Sequence, residues 1–120
     1  MQLLDIQRIE HISKYCDIIA QSKTRFGNTY EYFSSDNDFV QSVSFSLLQI
    51  GELSNSLSEE FRAKTAIRIP WHAIRGMRNL FAHDYGNMQL QRIWQTVCED
   101  IPILKDFCEE ITGDTCKQNL

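Results

Sequence analysis

The segment Arg78-Asn79-Leu80-Phe81-Ala82-His83-Asp84-Tyr85 holds a permanent cation, an amide, an imidazole and a phenol within eight residues. An imidazole transfers protons near neutral pH, and a guanidinium can grip a phosphate through two parallel N–H donors. Such a pair has the means to cleave RNA without a metal. The ribose 2′-hydroxyl is already an internal nucleophile, so the site need only move protons and stabilise a negative phosphorane. Spacing alone does not bring the two groups together. Five residues along a helix amount to about 140° around the axis and roughly 7.5 Å along it. Convergence needs His83 in a frayed last turn, or two copies meeting across a two-fold axis. The plainer alternative is that His83 complements the negative helix end while Arg78 pairs with a surface acid.

Other residues extend the constellation. Asn79 is placed to orient His83 or to bind a phosphate. Glu52, an acid inside an apolar helix, is the nominated partner of Arg78. From Arg62 to His83 the chain carries Arg62, Lys64, Arg68, Arg75 and Arg78 and no acid, a local basic footprint within a net charge of −4. Arg75 and Arg68 are the candidate RNA phosphate contacts from that tract. Between Glu99 and Asp114 stand six acids and one lysine. His72 reads as structural or solvent-facing, and His11 has no recognisable partner.

What must position these groups is a helical fold. At 120 residues, 42% hydrophobic and 23% charged, the chain is one globular domain with room for a core. Apolar residues recur at helical spacing and do not alternate as in strands. A first helix is predicted from about residue 3 to 23, with a turn at Phe26-Gly27-Asn28. Ser35, with Asp38 three residues on, is the predicted N-cap of a long second helix through Ile50 to Leu57. Residues 58 to 69 read as irregular. Pro70 opens a third helix running to about His83, and Asp84-Tyr85-Gly86-Asn87 ends it. A fourth begins near Gln89, and Pro102 is expected to kink or break it. The expectation is an all-α, antiparallel up-and-down bundle of four to five helices over 1–112, with a tail over 113–120.

No apolar run reaches the ~20 residues of a membrane helix, and the first residues do not read as a signal peptide, so a cytoplasmic protein is expected. Cys16, Cys98, Cys108 and Cys116 form no Cys-x-x-Cys pair and read as buried free thiols, with no metal site and no cofactor.

The ordered set from Arg78 to Tyr85 resembles the Arg-x4-His-x-Tyr signature of the HepT-like HEPN toxins. Ile50-Gly51-Glu52, Ile69-Pro70-Trp71, Gly76-Met77-Arg78-Asn79, Ile93-Trp94 and Asp100-Ile101-Pro102 are similar to that family as well. The resemblance implies a homodimeric, metal-independent endoribonuclease, the toxin of a type VII-like HEPN/MNT toxin–antitoxin system. It would be inactivated by a nucleotidyltransferase antitoxin of the MNT type. It assigns Arg78 and His83 to RNA cleavage, Asn79 to support, and Tyr85 to adenylylation by the antitoxin. Asp84 stands where the family commonly has glycine, and a carboxylate there would either repel an incoming phosphate or raise the pKa of His83. Two other readings fit the residues: a non-catalytic nucleotide- or RNA-binding HEPN module, and a structural partner of a nucleotidyltransferase.

Overall fold

The computed structural model describes residues 2–77 and 87–118, with side chains in the second stretch described from Leu90 to Gly113. Among them are six helices and no strand. They are α1 (Leu3–Phe26), α2 (Tyr30–Ser35), α3 (Asn37–Ser56), α4 (Glu59–Thr65), α5 (Trp71–Gly76) and α6 (Asn87–Gln118).

In α1 the buried stripe Ile9, Ile12, Cys16 and Ile19 follows the helical period and packs against both α3 and α6. The helix stops at Gly27, whose φ of 116° suits glycine and whose N–H donates to the Lys23 carbonyl at 3.0 Å. Gly27 is required twice over, because a Cβ there would sit 2.6 Å from the Tyr32 ring. The chain then makes the short α2, capped by Thr29 Oγ1 accepting from the Tyr32 N–H.

The N-cap of α3 is Asp36, not Ser35. The Asp36 backbone is extended, and its carboxylate accepts from the N–H groups of Asp38 and Phe39 at 2.9 and 3.3 Å. Ser35 is the last residue of α2, and its hydroxyl donates back to the Glu31 carbonyl. The expected irregular stretch from Ser58 contains α4, with Ser58 Oγ accepting from the Phe61 N–H.

Antiparallel pairing of α1 and α3 shows at both ends. Ser22 and Ser42 share a hydrogen bond at 2.8 Å, and Arg8 donates to the Ser56 carbonyl at 2.6 Å. Beyond Arg8, the buried Asp5 carboxylate accepts from Ser58 N–H at 2.8 Å and Ser58 Oγ at 2.7 Å. Burial pushes the Asp5 carboxyl up, but the two Ser58 bonds, a Gln2 backbone bond and the Arg8 charge bring it below its ordinary 3.8. A depressed carboxyl contributes stability above its ordinary pKa and loses it as pH falls through the folded value. Asp5→Ala is therefore expected to cost about 2–3 kcal/mol in urea unfolding at neutral pH. Its deficit relative to wild type should shrink as pH falls below the ordinary carboxylate range, because the depressed carboxyl is then protonated in the folded state as well. An unchanged midpoint at neutral pH would mean that the Asp5–Ser58 latch contributes nothing.

Helix α6 runs antiparallel to α1: Lys23 lies over the Trp94 ring at 5.8 Å, and Asp17 pairs with Lys105. Pro102 does not end this helix. It lies inside α6 and is exposed, as is Cys98, whose carbonyl loses its helical N–H partner to the proline. The helix also continues through Gly113 to Gln118, where a tail was expected. The core gathers Phe33, Phe39 and Trp94 at one end, ring centroids 5.2–5.8 Å apart, and Phe61, Trp71 and Phe107 at the other.

Cys16 and Cys108 are buried free thiols as expected, but Cys98 is exposed. Burial, with Asp17 adding, pushes the Cys16 thiol up to about 12, and burial pushes Cys108 higher still. Both are protonated and inert at neutral pH. The side chain of Cys116 lies outside the described residues.

Candidate active site and the groove beside it

Arg78, Asn79, His83, Asp84 and Tyr85 lie outside the described residues, as does the expected extension of the third helix to His83. What the structure shows is the platform that leads into them. Pro70, with φ −78° and ψ 73°, centres an inverse γ-turn in which Trp71 N–H donates to the Ile69 carbonyl at 2.9 Å. The turn launches α5, so Pro70 stands just before the helix and not within it. Trp71 fixes the start: its ring is buried against Phe61 and Phe107, and its Nε1–H donates to Thr65 Oγ1 at 2.8 Å. Ile74 and Met77 complete a buried stripe at i, i+3 and i+6. Arg78 is the next residue in sequence after this anchored turn.

The basic tract is largely engaged within the molecule. Arg62 Nη1 donates to the carbonyls of Ser54, Asn55 and Leu57 at the end of α3. Lys64 pairs with Glu60 one turn back, at 2.9 Å. Arg68 pairs with Glu110 at 2.5 Å and lies 5.0 Å from the centre of the Phe107 ring. A phosphate reaching Arg68 would have to displace Glu110. Arg75 is different. It is half-buried, and its Nε–H donates to Asn55 Oδ1 on α3 at 3.0 Å. A guanidinium held through Nε keeps its Nη edge pointed along a fixed direction. Asn55, which sequence reading did not single out, thus holds a candidate phosphate ligand. Glu52 is exposed one helical turn before Asn55, so it shares the α3 face that meets Arg75. Arg78, its nominated partner, follows Arg75 by one turn's worth of sequence.

A groove of about 410 Å³ opens between α5 and α6. His72, Ala73 and Gly76 line it from α5, with Ile74 and Met77 beneath. Arg92, Gln95, Thr96, Glu99 and Asp100 line it from α6. Trp71 packs on the Phe107 ring, which lies beyond Asp100 along α6. Gln95 Nε2 donates to Glu99 Oε2 at 3.2 Å. Partial burial, and then the neighbouring Glu99 charge, raise the Asp100 carboxyl. Nothing in the sequence marked this groove, because its two walls are some 20 residues apart along the chain. Among the described residues there is no cluster of three or more metal-ligating side chains, and no helix is long and apolar enough to cross a membrane.

Comparison with known proteins covers most of the chain. Residues 7–111 match the family described as "Ribonuclease HepT-like". The chain is 33% identical over 103 residues to "Putative RNase TTE0752" of Caldanaerobacter subterraneus, covering 86% of this chain and 89% of that protein. It is 33% identical over 82 residues to "Probable ribonuclease HepT" of Thermococcus cleftensis, covering 68% and 74%. No solved structure matches.

Proposed function

This chain belongs to the HepT-like ribonuclease family, and from that premise we propose that it is a metal-independent endoribonuclease acting as the toxin of a toxin–antitoxin pair. The observation that carries the reading is the family match across residues 7–111, which spans the Arg78-to-Tyr85 motif. In the mechanism, His83 takes the proton from a ribose 2′-hydroxyl, and the freed oxygen attacks the adjacent phosphorus. The bond to the 5′-oxygen breaks, and that oxygen receives a proton from the same imidazole or its symmetry mate. Arg78 stabilises the charge on the phosphorane, with Asn79 and Glu52 orienting the pair and Arg75 holding a neighbouring phosphate. The products are a 2′,3′-cyclic phosphate and a 5′-hydroxyl.

The working unit is a two-fold homodimer, whose second copy completes a site that one helix cannot close by itself. A minimal nucleotidyltransferase antitoxin silences it by adenylylating Tyr85. The phenol oxygen attacks the α-phosphorus of ATP, pyrophosphate leaves, and the phenol proton passes to solvent.

Incubating the purified chain with single-stranded RNA in excess EDTA tests the chemistry. Cleavage should persist and leave 2′,3′-cyclic phosphate ends. Loss of cleavage that returns on adding a divalent ion would replace this mechanism with a metal-dependent one.

A further inference from the structure

We infer that the groove between α5 and α6 is a nucleobase subsite that selects guanine, with Glu99 and Gln95 as its reading residues. The inference rests on the ribonuclease reading, since RNA would deliver the base.

Three observations carry it. First, the groove adjoins the motif in sequence: Gly76 and Met77, which line it, directly precede Arg78. Its volume, about 410 Å³, suits one nucleoside, while a buried protein–protein contact would be richer in large apolar side chains. Second, it is electrically graded. Arg92 stands on the α6 wall, and Glu99 and Asp100 stand about two turns further on, roughly 10–12 Å along α6. The acids repel a phosphate from their end and leave it to Arg92, so the strand enters with its backbone toward Arg92 and a base toward the carboxylates. Ile74 and Met77 give that base an apolar floor, and a Cβ built on Gly76 meets nothing within 4 Å, so the wall there is open.

Third, the donor and acceptor set matches one base better than the others. The Gln95 amide bonds Glu99 Oε2 at 3.2 Å, which steadies the carboxylate and leaves a lone pair on each oxygen. Guanine alone presents two parallel N–H donors, N1–H and the 2-amino group, on its Watson–Crick edge, and these fit a carboxylate fork. Adenine and cytosine set one amino group beside a ring acceptor, and uracil flanks its single N–H with two carbonyls that a carboxylate repels. Splayed single-stranded bases are read along these edges. Guanine O6, beside N1–H, suits the second N–H of the Gln95 amide.

The test separates this inference from the ribonuclease reading. The 15N-labelled wild-type chain is titrated with guanosine and uridine 5′-monophosphates, neither of which it can cut. Amide signals of Gly76, Thr96 and Glu99 should move with guanosine monophosphate, with a Kd at least about tenfold tighter than for the uridine compound. E99Q, an exposed substitution that preserves shape, should erase that ratio. A73W, which fills the groove, should abolish the shifts. Cleavage sites mapped on a mixed-sequence RNA should lie beside guanine in wild type and lose that bias in E99Q. Equal binding of both nucleotides, or cleavage without guanine bias, overturns the subsite and leaves the ribonuclease reading intact. Guanine-selective binding by a chain that cuts no RNA overturns the ribonuclease reading and keeps the subsite. Groove signals that respond to protein concentration and not to nucleotide would make this face a contact between copies, and the subsite would fall.

Discussion

His83→Ala is expected to slow RNA cleavage by roughly 10²- to 10⁴-fold, the contribution of a positioned general acid–base group. Arg78→Ala should cost about 10²- to 10³-fold, because a phosphorane loses its main charge partner. Arg78→Lys should also be poor, since an ammonium cannot reproduce the guanidinium fork. Helical circular dichroism should stay unchanged in all three. The core that anchors α5 is Trp71, Ile74 and Met77, none of which is altered. Mixing the two alanine variants adds a test of assembly. If each site takes Arg78 from one copy and His83 from the other, random pairing restores about a quarter of wild-type activity. If each chain carries its own pair, mixing restores nothing. Full cleavage by His83→Ala would remove the imidazole from the mechanism altogether.

Tyr85→Phe is expected to separate activity from control. The substitution keeps the ring and removes only the acceptor oxygen, so the variant should still cut RNA. It should, however, gain no mass when incubated with the cognate nucleotidyltransferase and ATP, whereas wild type gains one or more AMP groups. The attached phosphate would compete with RNA for Arg78, and the purine would obstruct the cleft. In a growth assay with both proteins expressed, Tyr85→Phe should escape inhibition. A mass gain that persists in the variant would place the acceptor elsewhere.

The long helices were legible because each carries a buried stripe at helical spacing: Ile9, Ile12, Cys16 and Ile19 in α1, and Phe39, Val43, Leu47 and Ile50 in α3. The short ones were not. In α4 only Phe61 is buried, and a single apolar residue has no period to read. Ser35 and Asp36 are both good caps, and what separates them is backbone: Asp36 is extended while Ser35 is still helical. Of the kink or break expected at Pro102, the break does not occur: the proline stands on an exposed face of a continuous helix, and which face it occupies is a tertiary fact. For the site, residue type and order between Arg78 and Tyr85 told the most. The basic tract told less, because Arg68 meets Glu110 from 42 positions away and Arg62 turns back on α3. Asn55 and the groove were invisible, since each exists only where distant segments meet.

The pairing of α1 with both α3 and α6 also fixes when the protein becomes whole during synthesis. As the chain leaves the ribosome, α1 emerges first and finds α3 within the next few dozen residues. The Asp5–Ser58 latch, spanning 53 positions, can then close. The other flank of α1, where Asp17 awaits Lys105, stays uncovered until α6 is made. Trp71 likewise waits for Phe107 before α5 is seated. The Arg78-to-Tyr85 segment is therefore translated well before α6 is available to seat α5. A nascent chain would carry the proposed catalytic residues ahead of the finished fold, so cleavage is expected only after the last helix has docked.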